Sequence, residues 1–266
     1  MLESYYQDNE LFKGTAWYYS RYRPAYPDQV FQLLKEKFNL NGSGCLLPLG
    51  CGPGDLAISL AKDFEKVVAL DADADMLEEG RRKASESRVF NIQWVHVRAE
   101  EMPDDLGHFK LVTIGKAFHW MDQKVVLNSV KEELLLDGGI ALIGETGRIW
   151  SGKEPWYAIV TKVIKKYLGE ARRAGTGVVG FSGNSWEDVL KGSFSLVEFN
   201  HSITDRNIWD IDSLLGYLYS TSYCSKEMLG DRINDFERDL KDALLACNPA
   251  NCFIEDIPIE VLMGWK

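Results

Sequence analysis

The chain is expected to be an α/β protein, with a doubly wound and mostly parallel sheet of seven strands, an antiparallel edge and a helical lid or cap. Three observations predict it. Short apolar runs bounded by Gly, Pro or Asp alternate with stretches of helical spacing, which is the rhythm of strand–helix–strand crossovers. A glycine-rich turn follows the first run directly. An aspartate closes the second run, at the end where open α/β sheets bind ligands.

The elements follow in order. Residues 44–49, 66–70, 92–97, 109–115 and 139–144 are apolar and short enough for buried strands. Helical spacing fills the gaps: Leu56, Leu60 and Phe64 after the first run, 76–87 after the second and 125–135 after the fourth. Right-handed crossovers then place these strands in parallel, covered on both faces. Beyond Trp150 the rhythm changes. Residues 155–168 have helical periodicity, 169–183 are rich in glycine and small residues, and 186–190 form a short helix. A strand at 194–203, helices at 211–219 and 232–247 and a closing apolar run at 253–263 complete the chain. The last run and the 194–203 run are expected to pair antiparallel at the sheet edge, with 155–186 inserted as a cap.

The chain has 266 residues, 45% hydrophobic and 26% charged. At roughly 150 residues per domain this is less than two full domains. Its 40 acidic against 30 basic residues give a formal charge of -10. Such a surface repels phosphate backbones and anionic lipid, so neither nucleic acid nor a membrane surface is expected as a partner. No apolar run approaches the roughly 18 residues of a membrane span. The polar, acidic start is unlike a signal peptide, so a cytoplasmic location is expected. Cys45, Cys51, Cys224, Cys247 and Cys252 form no C-x-x-C pair and read as reduced thiols. His96, His108, His119 and His201 are scattered, and no metal site is expected.

The turn itself runs Leu49-Gly50-Cys51-Gly52-Pro53-Gly54-Asp55. Glycine allows positive φ and lets a ligand approach backbone N–H groups. Asp71 stands at the tip of the second strand, 71 − 54 = 17 residues after the last glycine, where a carboxylate can accept both hydroxyls of a ribose. A tight strand-to-helix turn and a helix-capping aspartate are the plainer readings of the same residues. A dinucleotide fingerprint needs its third glycine at position 55, which is Asp55, and no G-K-[ST] follows for a P-loop. An acid beside a helix N-terminus also repels a pyrophosphate.

Four stretches carry a family resemblance: Gly50-Cys51-Gly52-Pro53-Gly54, Leu70-Asp71-Ala72-Asp73-Ala74-Asp75-Met76-Leu77, Val97-Arg98-Ala99-Glu100-Glu101-Met102-Pro103 and Ala117-Phe118-His119-Trp120. The chain resembles the class I S-adenosylmethionine-dependent methyltransferases, with a Rossmann-like sheet. The last stretch, with Tyr22-Arg23-Pro24-Ala25-Tyr26-Pro27, is most similar to the trans-aconitate methyltransferase-like branch. That resemblance implies S-adenosyl-L-methionine as cofactor. Gly50, Gly52 and Gly54 would lie along its methionine part, Asp71 on its ribose, Met76 on adenine, and Ala99 and Glu100 at the adenine edge. Pro48 stands where the family usually has an acid, and Arg98 where many relatives have Asp. These departures imply weaker cofactor binding, or compensation by Asp55 or Glu100. One methyltransferase domain over 1–266 is expected, divided into a lid (1–30), a cofactor core (31–150), a cap (151–192) and a segment completing the sheet with C-terminal helices (193–266).

Methyl transfer from a sulfonium needs an aligned nucleophile, exclusion of water and, for some acceptors, a base. His119, at a strand tip, is the candidate base or carboxylate-orienting group; capping the next helix is its structural alternative. The aromatic segment Tyr5, Tyr6, Phe12, Trp17, Tyr18, Tyr19, Tyr22 and Tyr26 reads as a lid or as a surface helix packed on the sheet, with Tyr18 the second catalytic candidate and Arg23 assigned to the cofactor. Glu145 and Arg148 are further pocket candidates, Arg172 and Arg173 read as a solvated segment within reach of an acidic substrate, and Tyr217, Tyr219 and Tyr223 as core. The expected activity is in-line methyl transfer to a small molecule, a carboxylate being the preferred acceptor. The alternative is a binding or regulatory protein that keeps the fold without turnover. A nicotinamide oxidoreductase is disfavoured by Asp55. The oligomeric state is left open.

Overall fold

The structure, a computed structural model, describes residues 11–174, 177–178 and 185–266. Tyr5 and Tyr6 of the expected lid, and residues 175–176 and 179–184 of the glycine-rich stretch, lie outside the described residues. The described residues form a two-stranded hairpin, ten α-helices and a seven-stranded sheet in the order Ile92–His96, Lys66–Asp71, Cys45–Pro48, Phe109–Gly115, Leu134–Glu145, Phe253–Trp265, Leu196–Trp209.

The sheet strands are β1 (Cys45–Pro48), β2 (Lys66–Asp71), β3 (Ile92–His96), β4 (Phe109–Gly115), β5 (Leu134–Glu145), β8 (Leu196–Trp209) and β9 (Phe253–Trp265). β1 pairs in parallel with β2 and with β4, β2 with β3, and β4 with β5. Strand order therefore reverses at β1, the kind of switch point that leaves a crevice at the strand tips. Leu46, Leu47, Val67 to Leu70, Leu111, Val112, Ile114 and Ile140 to Ile143 are fully buried, as expected of strands with both faces covered. The far side is antiparallel. Thr146 N donates to Pro258 O at 3.2 Å and Lys266 N to Gly138 O at 3.2 Å, so β9 runs against β5. Arg206 meets Asp256 while Phe194 lies against Gly264, so β9 also runs against β8. This is the expected antiparallel pairing of the two last runs at the sheet edge.

The helices are α1 (Ala16–Tyr22), α2 (Asp28–Lys37), α3 (Asp55–Leu60), α4 (Ala74–Glu86), α5 (Gln123–Glu133), α6 (Pro155–Leu168), α7 (Trp186–Lys191), α8 (Ile211–Tyr219), α9 (Lys226–Leu229) and α10 (Ile233–Cys247). At the starts of α4, α5, α7, α8 and α9 a side chain satisfies one or more of the first free amides. Asp73 accepts from the amides of Asp75 and Met76, Asp122 from Val125, and Asp210 with Ser213 forms a capping box. Pro155 opens α6, where its missing N–H costs nothing. The hairpin consists of β6 (Arg173–Ala174) and β7 (Gly177–Val178).

The largest differences from the sequence reading lie at β5 and β8. The 125–135 helix ends at Glu133, because Leu134 turns extended and opens β5 five residues before the expected start. Leu134 pairs with Phe109, ahead of a register shift that the apolar run at 139–144 does not reveal. β8 begins at Leu196 and continues past Ile203 through the polar Thr204-Asp205-Arg206-Asn207 to Trp209. Ile203 and Trp209 are buried while Thr204, Arg206 and Ile208 are exposed, so the strand continues past its expected end as a half-buried alternation.

Two compact units are distinguished. The sheet unit holds the described residues among 25–144, 182–203 and 259–266, with a core that includes Leu47, Leu70, Phe109, Val112, Ile114, Phe118, Val126 and Ile140. The helical unit holds the described residues among 1–24, 145–181 and 204–258, with a core that includes Trp156, Val160, Ile164, Leu214, Leu218, Phe236 and Leu240. Among the described residues, no helix is long and apolar enough to cross a membrane.

Candidate active site

The glycine turn sits between β1 and α3. Gly50, Gly52 and Gly54 have φ of 58°, 53° and 82°, all left-handed values that disfavour side chains. A Cβ at Gly50 would come 2.7 Å from the Ala117 Cβ, and one at Gly54 would come 2.5 Å from the Trp94 indole. The turn is stitched to β2 by its backbone: Cys51 N donates to Leu70 O at 2.9 Å, and Gly52 N donates to Asp71 Oδ2 at 2.7 Å.

Asp71 is the electrostatic centre of this region. Its second oxygen accepts from Asp73 N at 2.9 Å. Burial pushes its carboxyl from the ordinary 3.8 up to about 6, against the opposing effect of the Asp73 and Gly52 amides. A carboxylate offers about four lone-pair sites. With one amide on each oxygen, two acceptor positions are left for further donors. The Cys51 thiol beside it is held well above its ordinary value by burial and by the Asp71 charge, so it is a poor nucleophile.

Met76, in the first turn of α4, is buried. Ala99 belongs to the apolar core with Met102, Phe118 and Met121. Glu100 accepts from Asp122 N at 2.9 Å and lies 3.6 Å from Arg98. Asp55, at the start of α3, is paired with Lys83 of α4. Both acids that could stand in for Pro48 or Arg98 thus already hold partners.

His119 is exposed after β4, its ring stacked 6.4 Å from that of Trp186 at an interplanar angle of 12° and 4.5 Å from that of Trp120. The structure adds a residue that the sequence reading left among the lid aromatics. The Tyr26 hydroxyl lies directly against Gly115 at the end of β4, and the Lys116 ammonium stands 4.5 Å over the Tyr26 ring. Lys116 has φ 59°, a left-handed lysine that no sequence pattern announced.

Tyr18 and Arg23 belong to the helical unit. Tyr18 stacks on Tyr22 at 6.1 Å and meets the edge of Tyr219 at 5.4 Å. Arg23 donates to Ser220 Oγ at 2.8 Å and to Ser220 O at 3.1 Å, with its guanidinium 4.7 Å from the Tyr19 ring and 5.1 Å from the Tyr217 ring. The Arg148 guanidinium also stands over the Tyr217 ring, 4.4 Å from its centroid. Its fork is taken by Glu145 at 2.8 Å and Glu255 at 2.9 Å, and Glu255 also accepts from Tyr157 and Trp209. Arg172 lies 5.3 Å from the Tyr223 ring. The Tyr223 phenol is held well above its ordinary value by burial and by Tyr217, with Arg23, Arg172 and Arg148 pulling the other way. Trp150 meets Tyr223 edge to face at 5.6 Å, and its buried indole N–H has no acceptor among the described residues.

A family model described as a methyltransferase domain matches residues 46–138, which contain the glycine turn, Asp71 and His119. These residues are a methyltransferase domain. The fold is that of the class I S-adenosylmethionine-dependent methyltransferases. An uncharacterized methyltransferase of Schizosaccharomyces pombe is 27% identical over 159 residues, 59% of this chain and 60% of its own, so the match spans less than two thirds of that relative. An uncharacterized methyltransferase of Mycobacterium tuberculosis is 26% identical over 247 residues, covering 92% of this chain and 89% of its own. The solved YcgJ protein of Bacillus subtilis aligns over 90% of this chain and 99% of its own, with 16% identity and a TM-score of 0.57.

The methyltransferase domain's own residues fit the sulfonium nucleoside that the fold implies. A desolvated carboxylate with two acceptor positions left suits a pair of ribose hydroxyls. The left-handed turn beside it keeps Cβ atoms off the backbone next to that carboxylate.

Proposed function

We propose that the protein transfers the methyl group of S-adenosylmethionine to a small organic acid. The Asp71 carboxylate, tied to the Gly52 amide and left with two acceptor positions, carries the donor half of this reading. The bound sulfonium supplies an already activated methyl group, so the chain has only to position and desolvate the reactants. Asp71 holds the ribose hydroxyls, and Gly50, Gly52 and Gly54 give the methionine part a path free of side chains. Met76 packs on adenine, with Ala99 and Glu100 at its edge. His119 orients the acceptor or takes its proton.

The acidic acceptor is supported by the likeness of Ala117-Phe118-His119-Trp120 and Tyr22-Arg23-Pro24-Ala25-Tyr26-Pro27 to the trans-aconitate methyltransferase-like branch, which is the finer assignment.

The alternative of a non-catalytic binding protein draws on Pro48 and on the occupied state of Asp55 and Glu100. Incubating the protein with deuterated-methyl donor and a metabolite extract separates the two readings. A labelled product that releases methanol in alkali supports an acid acceptor through its ester. Saturable donor binding with no labelled product would favour the binding protein.

A further inference from the structure

We infer that the helical unit carries a carboxylate-binding site around Tyr223, fitted to an acid with one carboxylate and an apolar body. All the residues that build it lie within that one unit, and the site does not rest on the donor reading at Asp71.

Local structure brings these residues together. After α8 the chain turns at Ser220 and Thr221, whose hydroxyls donate back to Tyr217 O at 2.5 Å and to Leu218 O at 2.6 Å. Tyr223 follows this turn and is buried, 6% exposed. A second turn, in which Ser151 N and Gly152 N both donate to Arg148 O, carries Trp150, whose ring meets Tyr223 edge to face at 5.6 Å. Arg172, exposed just ahead of the hairpin, stands 5.3 Å from the same Tyr223 ring. Arg23 caps the end of α1 with its guanidinium over the rings of Tyr19 and Tyr217. Arg23, Arg172 and Arg148 all lie near enough to the Tyr223 phenol to ease its ionisation.

The groups left over are donors. The Trp150 indole N–H is buried and has no acceptor among the described residues. Among the same residues Arg172 meets only the Tyr223 face, and the Tyr223 hydroxyl makes no hydrogen bond. Arg23 uses Nε and one Nη on Ser220, a neutral partner. A desolvated donor without an acceptor raises the energy of the empty site, and an anion that fills it recovers that loss. Of the three guanidiniums only Arg148 holds carboxylates, those of Glu145 and Glu255. Among the described residues the group thus keeps one positive charge beyond its acids, which matches a single carboxylate better than a phosphate dianion. The Arg172 fork can take both oxygens of such a group. The rings of Trp150, Tyr217 and Tyr223 suit an apolar body behind it. A purely structural stack of rings and guanidiniums accounts for the cation–π contacts but not for the orphan indole N–H.

Calorimetric titration of the full chain tests this, with circular dichroism as the check on folding. Phenylacetate, benzoate and hexanoate are the probes, each with its matching amide as the uncharged comparison and inorganic phosphate as the second anion. At least one acid is expected to bind saturably, and its amide about tenfold or more weakly than the acid. Arg172→Met and Trp150→Phe each remove a donor and are expected to weaken the acid by about tenfold or more, where a merely structural Trp150 would leave acid affinity unmoved. No saturable binding by any of the three acids at millimolar concentration overturns the inference. So does an amide or phosphate that binds as tightly as the acid, or an affinity that neither substitution changes. An acid that S-adenosylhomocysteine displaces would give the group to the donor's own carboxylate and overturn it as a separate site.

Discussion

Substituting Asp71→Asn isolates the charge on which the proposed cofactor binding depends, because it keeps the shape of the side chain. The two amides that Asp71 accepts, Gly52 N at 2.7 Å and Asp73 N at 2.9 Å, approach different oxygens. Asparagine has one oxygen and one NH2, so one amide must face a donor whichever way the side chain flips. A lost hydrogen bond to a charged group is worth about 1.5 to 3 kcal/mol, so each ribose hydroxyl that loses its ionised acceptor weakens binding by roughly 10- to 150-fold. The pH dependence follows from the same group. Burial holds the Asp71 carboxyl at about 6 in the free protein. A ribose that donates to the ionised form then binds at full strength above pH 6, and its dissociation constant rises about tenfold for each pH unit below that. Calorimetric titration with S-adenosylhomocysteine from pH 5 to 8 reads both effects. Equal affinity in the variant and the parent at pH 8, or a flat parent profile across pH 6, would refute the reasoning.

The same shift makes a stability statement with the opposite sense. The folded value of about 6 lies above the ordinary 3.8, so the folded protein holds this proton more tightly than the unfolded chain. Stability from this group is greatest below pH 3.8 and falls as pH rises to 6, by at most about 3 kcal/mol, and chemical denaturation should show Asp71→Asn lacking that decline. Gly50→Ala must adopt φ 58° and brings a Cβ to 2.7 Å from Ala117, so a loss of about 2 to 5 kcal/mol is expected; an unchanged melting temperature would contradict it. Glu255→Ala leaves Arg148, Tyr157 and Trp209 without their shared acceptor in a buried site, and about 3 to 5 kcal/mol of stability is expected to go, read by urea denaturation. His119→Gln should lower turnover by about a hundredfold if the imidazole takes a proton, with donor affinity kept; full turnover would remove His119 from the chemistry.

The parallel half of the sheet was legible because its strands are buried on both faces and read as unbroken apolar runs, as at Val67-Val68-Ala69-Leu70. Helix α6 was legible to the residue, since Pro155 marks its first turn and Gly169 follows its last. The polar half of β8 was not. Thr204, Arg206 and Asn207 look like loop residues until β9 supplies Asp256 as a partner, and that pairing spans 50 residues. In the candidate site, the glycine turn and Asp71 are close in sequence and announce themselves together. The Arg148 group is assembled from positions 145, 148, 157, 209 and 255, and no local pattern links them. Tyr26 against Gly115 is invisible for the same reason, because it depends on the close approach of a segment distant in sequence.

The proposed donor site places a sulfonium nucleoside beside the Gly52–Asp71 hydrogen bond, on the remaining acceptor positions of Asp71, and a crystal structure with S-adenosylhomocysteine soaked or grown in tests that most directly. The ribose hydroxyls are predicted on the Asp71 oxygens, with the methionine part along Gly50 to Gly54. Density for the nucleoside at another location, or Asp71 bonded only to the Gly52 and Asp73 amides with the ligand bound, would contradict it.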